Sequence, residues 1–121
     1  VPVFAAEIDF LALFAAYNPA KVYRHLPRFP AITRDFSFVC DESLEVGKIE
    51  AVMAKAGGKL VENIRVFDIY RGAQVGEGKK SVSLRMTLRA EDHTMTVDDA
   101  EKVTKKVLFL LEKELGLTLR A

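Results

Sequence analysis

Apolar and polar residues alternate along three stretches of the chain, which predicts β-strands that each bury one face. Within residues 34–41 the apolar face carries Phe36, Phe38 and Cys40, and within residues 80–90 it carries Val82, Leu84, Met86 and Leu88. Residues 59–70 also have the composition of a strand, but their apolar positions change parity near Glu62 and Asn63. Such a change is typical of a β-bulge, so the second strand is predicted to be interrupted there.

Apolar residues elsewhere recur with helical spacing and predict two amphipathic helices. In the first helix, Ile49, Val52, Met53 and Ala56 fall on one side, and the glycines at 57–58 end it.

The second helix is predicted to begin after Thr96, whose side chain can form a capping box with Asp99. It ends at Gly116, and residues 117–120 predict a short last strand.

The elements follow the order strand, helix, strand, strand, helix, strand. This order is typical of the split βαβ arrangement, an α+β fold that is called ferredoxin-like. It predicts a four-stranded antiparallel sheet with topology βαββαβ and both helices on one face. The other face of the sheet is then left open.

The beginning of the chain has a different character. Residues 1–8 have the composition of a strand, and Asp9 can cap a short helix at residues 10–17. One strand and one short helix cannot form a core by themselves. We therefore expect residues 1–20 to be the trailing strand, helix and linker of a preceding module, and residues 21–121 to form the domain itself.

The composition is that of a folded globular protein, with 121 residues, 50% of them apolar and 29% charged. A net charge of +1 argues against a polyanion binder that relies on overall charge. Bases are nevertheless concentrated in residues 71–89, where Glu77 is the only acid. One end of the sheet is therefore expected to be electropositive.

The sequence offers little for catalysis, metal binding or membrane insertion. Cys40, the single cysteine, lies on an alternating strand and is interpreted as a core residue. His25 and His93 have no second histidine or cysteine at a ligand spacing. The longest apolar run, residues 10–16, is too short to span a membrane.

The loop between the second and third strands contains three glycines and ends at Lys79 and Lys80, which are expected at the mouth of the sheet. It has some likeness to a phosphate-binding loop. However, Ala73 stands in place of the first glycine of that motif, and Lys80 in place of its hydroxyl residue. The loop also joins two strands, so no helix N-terminus is available for a phosphate.

The open sheet face is predicted to carry polar residues. By parity, its members are Asp35, Ser37, Ser83, Arg85, Thr87 and Arg120, with Asp68 and Tyr70 beside them. Such a face fits a binding surface or a merely solvated one, and the pattern alone does not decide between them.

Three segments of the chain resemble a known family. They are RFPAITRDFSFVCDE (28–42), VFDIYRGAQVGEGKKSVSLRMTLRAEDHTMT (66–96) and LEKELGLTLR (111–120). In this order they are similar to the ferredoxin-fold anticodon-binding domain that ends the beta chain of bacterial phenylalanine-tRNA ligase. His93 and Met95 stand where that family commonly has arginine and leucine.

The resemblance implies a noncatalytic module that binds the anticodon stem and loop of phenylalanine tRNA and positions this tRNA for aminoacylation on the alpha subunit. The implied partners are that tRNA, the remainder of the beta subunit and the alpha subunit of an α2β2 ligase, in the cytoplasm and without a membrane. No cofactor is expected in this chain, whereas ATP and magnesium are implied for the alpha subunit. Residues 1–17 are similar to the end of the adjoining catalytic-like module.

The candidate RNA contacts form two groups, because bases can lie across an open sheet while phosphates pair with cations. The candidates for base or stacking contacts are Asp35, Ser37, Asp68, Tyr70, Ser83 and Arg85. The candidates for phosphate contacts are Arg34, Arg71, Lys79, Lys80, Arg89 and Arg120. The alternative function is a ferredoxin-like regulatory or assembly module that binds a small ligand or a partner protein.

Overall fold

The computed structural model describes residues 1–120 and shows three α-helices and three β-strands in this part of the chain. The helices are α1 (Phe10–Ala16), α2 (Val46–Gly57) and α3 (Val97–Leu115), and the strands are β1 (Ile32–Asp41), β2 (Val61–Tyr70) and β3 (Lys79–Leu88). A 3-10 turn, Gly58–Leu60, joins α2 to β2.

The strands form one antiparallel sheet in the order β1-β3-β2. The predicted hairpin between β2 and β3 is confirmed, and β1 pairs with the other side of β3. The register of β2 shifts twice, between Val61 and Asn63 and between Val66 and Asp68. The first shift is the predicted bulge, whereas the alternation of residues did not predict the second.

The predicted four-stranded sheet is not found, since the sheet has three strands. Residues 117–120 lie beside β1 but form only the bridge Phe38–Leu119 and a hydrogen bond of 2.7 Å from Arg120 N to Ser37 O. Leu117 instead turns into the core, where it is 5% exposed. The segment therefore occupies the place of a fourth strand without forming a ladder.

A single hydrophobic core lies between the sheet and two helices. Even-numbered residues of β1 and β3 meet the apolar sides of α2 and α3, and the largest fully buried members are Phe38, Ile49, Met53, Leu84, Met86, Leu88 and Leu111. Because α2 and α3 share this core, both helices cover one face of the sheet, as predicted. The opposite face carries no helix and is called the open face below.

Helix α3 begins and ends as the sequence predicts. The Thr96 hydroxyl accepts a hydrogen bond from Asp99 N at 3.2 Å, and the Asp99 carboxylate accepts one from Thr96 N at 3.1 Å. The backbone bond from Thr96 lowers the pKa of Asp99 below its ordinary value. At the other end, Gly116 adopts φ 64°, a left-handed conformation that glycine adopts without steric cost.

Residues 1–28 contribute nothing to the core, because every one of them is exposed. The strand predicted at residues 1–8 is absent, since this segment pairs with no other strand. Helix α1 forms as predicted, and the Asp9 carboxylate accepts a hydrogen bond from Ala12 N at 3.1 Å. Its side chains Phe10 and Phe14 are 71% and 66% exposed.

Candidate nucleic-acid interface

The centre of the open face is a row of polar side chains set by the strand register. Ser37 lies opposite Ser83, which lies opposite Asp68, and the two serine hydroxyls are 2.9 Å apart. The row forms part of a shallow cavity of about 510 Å³ that is lined by Ser37, Asp68, Tyr70, Gln74, Ser81, Ser83 and Arg120. Four residues that the sequence predicted as base contacts are thereby brought together.

An aromatic ring and a cation border this cavity. Tyr70 lies opposite Ser81 and is 41% exposed. A Cβ atom at Gly72 would collide with the Tyr70 ring, so glycine at this position allows the ring to lie against the chain. The Arg120 guanidinium donates to the Ser81 hydroxyl at 3.5 Å. A stacking plane, a carboxylate and a guanidinium therefore face one small space.

The next row of the open face contains a paired arginine. Arg85 donates two parallel hydrogen bonds to Asp35, from Nε to Oδ1 at 2.7 Å and from Nη2 to Oδ2 at 2.8 Å. These bonds lower the pKa of Asp35. The guanidinium carbon lies 5.5 Å from the centre of the Phe67 ring. Asp35 and Phe67 therefore hold the Arg85 guanidinium as a fixed plane on the sheet.

Phe67 and Arg65 are members of this surface that the sequence prediction missed. Phe67 is 52% exposed, and the register shift between Val66 and Asp68 lets it contact Arg85 on the open face. Arg65 lies directly opposite Arg85. Phe67 and Arg65 can be assigned to the open face only when the position of the second bulge is known. The only sign of this bulge in the sequence is the pair of consecutive apolar residues at 66 and 67.

The end of the sheet near the glycine loop holds a second paired arginine. Arg71 donates to the Glu42 carboxylate from Nη2 at 2.7 Å and from Nε at 3.0 Å, and these hydrogen bonds lower the pKa of Glu42. Gly76 and Gly78 have φ values of 92° and 71°, so the loop uses a backbone conformation that favours glycine. A cavity of about 570 Å³ lies between this pair and the loop.

The sequence predicted that the two lysines after the loop lie together at the mouth of the sheet. The structure separates them. Lys79 is exposed, whereas Lys80 is only 7% exposed and donates from Nζ to the Glu42 carbonyl at 3.0 Å. The reason is the pleat of the strand, which directs successive side chains to opposite faces. Lys80 makes a structural contact, and Lys79 is the lysine that is accessible to solvent.

Two other predicted phosphate contacts lie away from the centre of the open face. Arg34 lies opposite Met86 and donates to the neighbouring Thr33 carbonyl at 3.3 Å. Arg89 donates to Glu62 at 3.1 Å and to the Phe29 carbonyl, which attaches the entering chain to the sheet. The structure thus separates both arginines from the cavity that contains Tyr70.

The described residues provide no metal cluster or membrane helix. No group of three or more His, Cys, Asp and Glu side chains within residues 1–120 could hold a metal ion. No helix in the same range is long and apolar enough to cross a membrane. Cys40 is 4% exposed, and burial raises the pKa of its thiol, which fits the predicted core role.

The fold and the open face together define a ferredoxin-like binding domain with a polar, aromatic-edged sheet surface. The chain belongs to the family described as ferredoxin-fold anticodon binding domain, whose model matches residues 27–120. This match confirms the resemblance drawn from the sequence and the interpretation of the chain as a noncatalytic binding module.

The particular relatives of the chain are phenylalanine–tRNA ligase beta subunits. It is 44% identical over 117 residues to that of Clostridium acetobutylicum, 43% identical over 119 residues to that of Symbiobacterium thermophilum, and 39% identical over 114 residues to that of Bacillus subtilis. These matches cover 97%, 98% and 94% of this chain, but only 15%, 13% and 14% of the relatives. The chain therefore spans about a seventh of their length.

Proposed function

We propose that this chain binds the anticodon stem and loop of phenylalanine tRNA through its open face, as part of a phenylalanine-tRNA ligase beta subunit. The observation that carries the proposal is the cavity that combines Tyr70, Asp68 and Arg120 on a sheet face without helices. Sequence-specific RNA recognition targets unpaired loop bases, which stack on aromatic rings or guanidinium planes and pair through their edges. An anticodon loop presents bases of this kind.

The base contacts are assigned from the two rows of the open face. Tyr70 and the Arg85–Phe67 plane supply two stacking surfaces. The carboxylate of Asp68 accepts hydrogen bonds from the N–H groups of a base edge, and the hydroxyls of Ser37 and Ser83 can donate or accept. This arrangement suits one base in the cavity and a neighbouring base on the Arg85–Phe67 plane.

The phosphate contacts are assigned to cations of this surface that have no carboxylate partner within residues 1–120. These are Arg65, Lys79 and Arg120, all of which are exposed. Lys79 and Arg120 were predicted from the sequence, and Arg65 is added by the register. Three such contacts predict a slope of about −2 for log affinity against log salt with single-stranded RNA.

A titration of the 121-residue chain with three RNAs tests the proposal. Fluorescence anisotropy would compare phenylalanine tRNA, the same tRNA with substituted anticodon bases, and a noncognate tRNA. We expect the tightest binding to the first RNA, because the proposed contacts of the cavity are made to its anticodon bases. Loss of this preference on Asp68→Ala, with the sheet still folded by circular dichroism, would assign the discrimination to the cavity.

Equal affinity for all three RNAs would contradict the proposal. Binding of none of them, at any salt concentration, would favour the alternative of a ferredoxin-like regulatory or assembly module. The family and the relatives favour RNA over that alternative.

The parent protein is proposed from its relatives. We infer that residues 1–20 belong to a preceding module of the beta subunit, because their apolar side chains find no core here and the family match begins only at residue 27. Aminoacylation, with ATP and magnesium, is assigned to the alpha subunit of an α2β2 ligase in the cytoplasm. The described residues of this chain do not fit ATP or magnesium. The glycine loop joins two strands and so offers no helix N-terminus to the phosphates of ATP, and residues 1–120 hold no carboxylate cluster for magnesium.

A further inference from the structure

Two arginines at the RNA-binding surface are already neutralised by carboxylates of the same chain. Arg85 is held by Asp35, and Arg71 is held by Glu42, each through at least two hydrogen bonds to one carboxylate. Both pairs are exposed, with side-chain exposures of 53% and 49% for the first and 58% and 47% for the second. Exposed ion pairs contribute about 0–1 kcal/mol to folding stability, with bidentate arginine–carboxylate pairs toward the upper end. A contribution of this size leaves room for a second role of both carboxylates at this surface.

We propose that Asp35 and Glu42 are specificity-determining residues that prevent the surface from binding polyanions of any sequence. The proposal rests on the proposed RNA-binding function. A guanidinium that is free would attract any phosphate, whereas one with a bidentate carboxylate partner carries no net charge toward an incoming strand. The carboxylates also repel phosphates directly, which is a repulsive element against the wrong ligands.

The two pairs act on different steps of recognition. Asp35 fixes the Arg85 guanidinium beside the Phe67 ring, so its removal frees a cation and also loosens a stacking plane. Glu42 lies at the glycine-loop end, where its removal frees Arg71 without disturbing the cavity around Tyr70. Asp35 is therefore expected to affect both general and selective binding, and Glu42 mainly general binding.

The size of the effect follows from counterion release. Each freed cation adds about 0.7 to the magnitude of the salt slope for single-stranded nucleic acid. If affinity at about 1 M salt is unchanged, one freed cation raises affinity about eightfold at about 50 mM salt and about threefold at about 200 mM.

The test uses Glu42→Gln and Asp35→Asn in the 121-residue chain, with fluorescein-labelled oligouridylate as a probe that has no anticodon loop. Glu114→Gln is the matched control, because it makes the same change in net charge but its partner Lys55 lies on the helix side, at 2.7 Å. Affinity is measured across a salt series, and elution from a heparin column gives a second reading. Thermal unfolding by circular dichroism checks that all variants remain folded.

We expect steeper slopes and tighter oligouridylate binding for both surface variants, and wild-type values for Glu114→Gln. Asp35→Asn should in addition reduce the preference for phenylalanine tRNA over a noncognate tRNA. An effect of Glu114→Gln equal to that of Glu42→Gln would assign the change to net charge and overturn the proposal, as would unchanged slopes in both surface variants. A wild-type chain without tRNA preference would refute the proposed function, while the oligouridylate slopes would still decide the role of the carboxylates.

Discussion

Lys79 and Lys80 are adjacent in sequence, yet the structure predicts opposite consequences for their removal. Lys79 is exposed beside the glycine loop and is one of three cations at the proposed RNA surface that have no carboxylate partner within residues 1–120. Lys79→Ala should reduce the magnitude of the salt slope for RNA by about 0.7 and weaken binding about eightfold at about 50 mM salt. Its effect on the free energy of unfolding should stay within about 0.5 kcal/mol, as for most surface changes.

Lys80→Ala should instead destabilise the fold and leave the salt slope unchanged. The substitution removes a charged hydrogen bond of 3.0 Å to the Glu42 carbonyl and the buried stem of a side chain that is 7% exposed. A lost hydrogen bond from a charged donor costs about 2 kcal/mol. For a domain of this size, that loss corresponds to a decrease of about 10 °C in Tm.

Thermal unfolding and an RNA salt series on both single variants measure these quantities together. Lys80→Met is a useful companion to Lys80→Ala, because it keeps the buried stem and removes only the ammonium group. A structural role for Lys80 would be excluded if Lys80→Ala lowered the salt slope as much as Lys79→Ala while Tm stayed at the wild-type value. That result would place both ammonium groups on RNA.

Three further outcomes follow from other parts of the structure. Leu84→Ala, at a fully buried position of the central strand, should lower the free energy of unfolding by about 2–5 kcal/mol in a urea titration. Tyr70→Ala should weaken binding of phenylalanine tRNA by about 1–3 kcal/mol if a base stacks on this ring, and an equal loss with a noncognate tRNA would speak against a selective contact. Asp99→Asn should lower Tm at neutral pH, because folding depresses the pKa of Asp99 and the ionised carboxylate therefore stabilises the folded state. This stabilisation is fully present above the ordinary pKa of 3.8 and is lost as the pH falls through the lower pKa of the folded state. The difference in Tm between wild type and Asp99→Asn should therefore shrink below pH 3.8, and a difference that does not depend on pH would exclude the carboxylate as its source.

Much of the domain could be predicted from the sequence because local patterns and the fold agree. The alternation in β1 and β3 places Phe38 and Leu84 in the core, and the capping box at Thr96 marks the start of α3. The strand predicted at residues 1–8 failed for a physical reason: strand composition produces a strand only where a partner supplies the backbone hydrogen bonds. The predicted fourth strand does not form for the same reason: within residues 117–120 only Leu119 forms a bridge to β1.

The site could be predicted only in part, because parity identifies a face but not the contacts on it. Ser37, Asp68 and Ser83 were assigned to the open face, and the register brings them into one row. The sequence could not show that Arg71 and Arg85 are paired with carboxylates, because the partners are distant in sequence: Asp35 lies on β1 and Glu42 in the turn that follows it. Phe67 was missed since a bulge changes the face that a residue occupies, and its position depends on packing.

Chemical-shift mapping of the amide groups during titration with the anticodon stem-loop of phenylalanine tRNA would show which face of the domain binds RNA. We expect the largest changes at the open face, around Ser37, Asp68, Tyr70 and Ser83, with small changes along the outer surfaces of α2 and α3. Changes concentrated on the helices, or equal changes with a stem-loop of noncognate anticodon, would contradict recognition by the open sheet face.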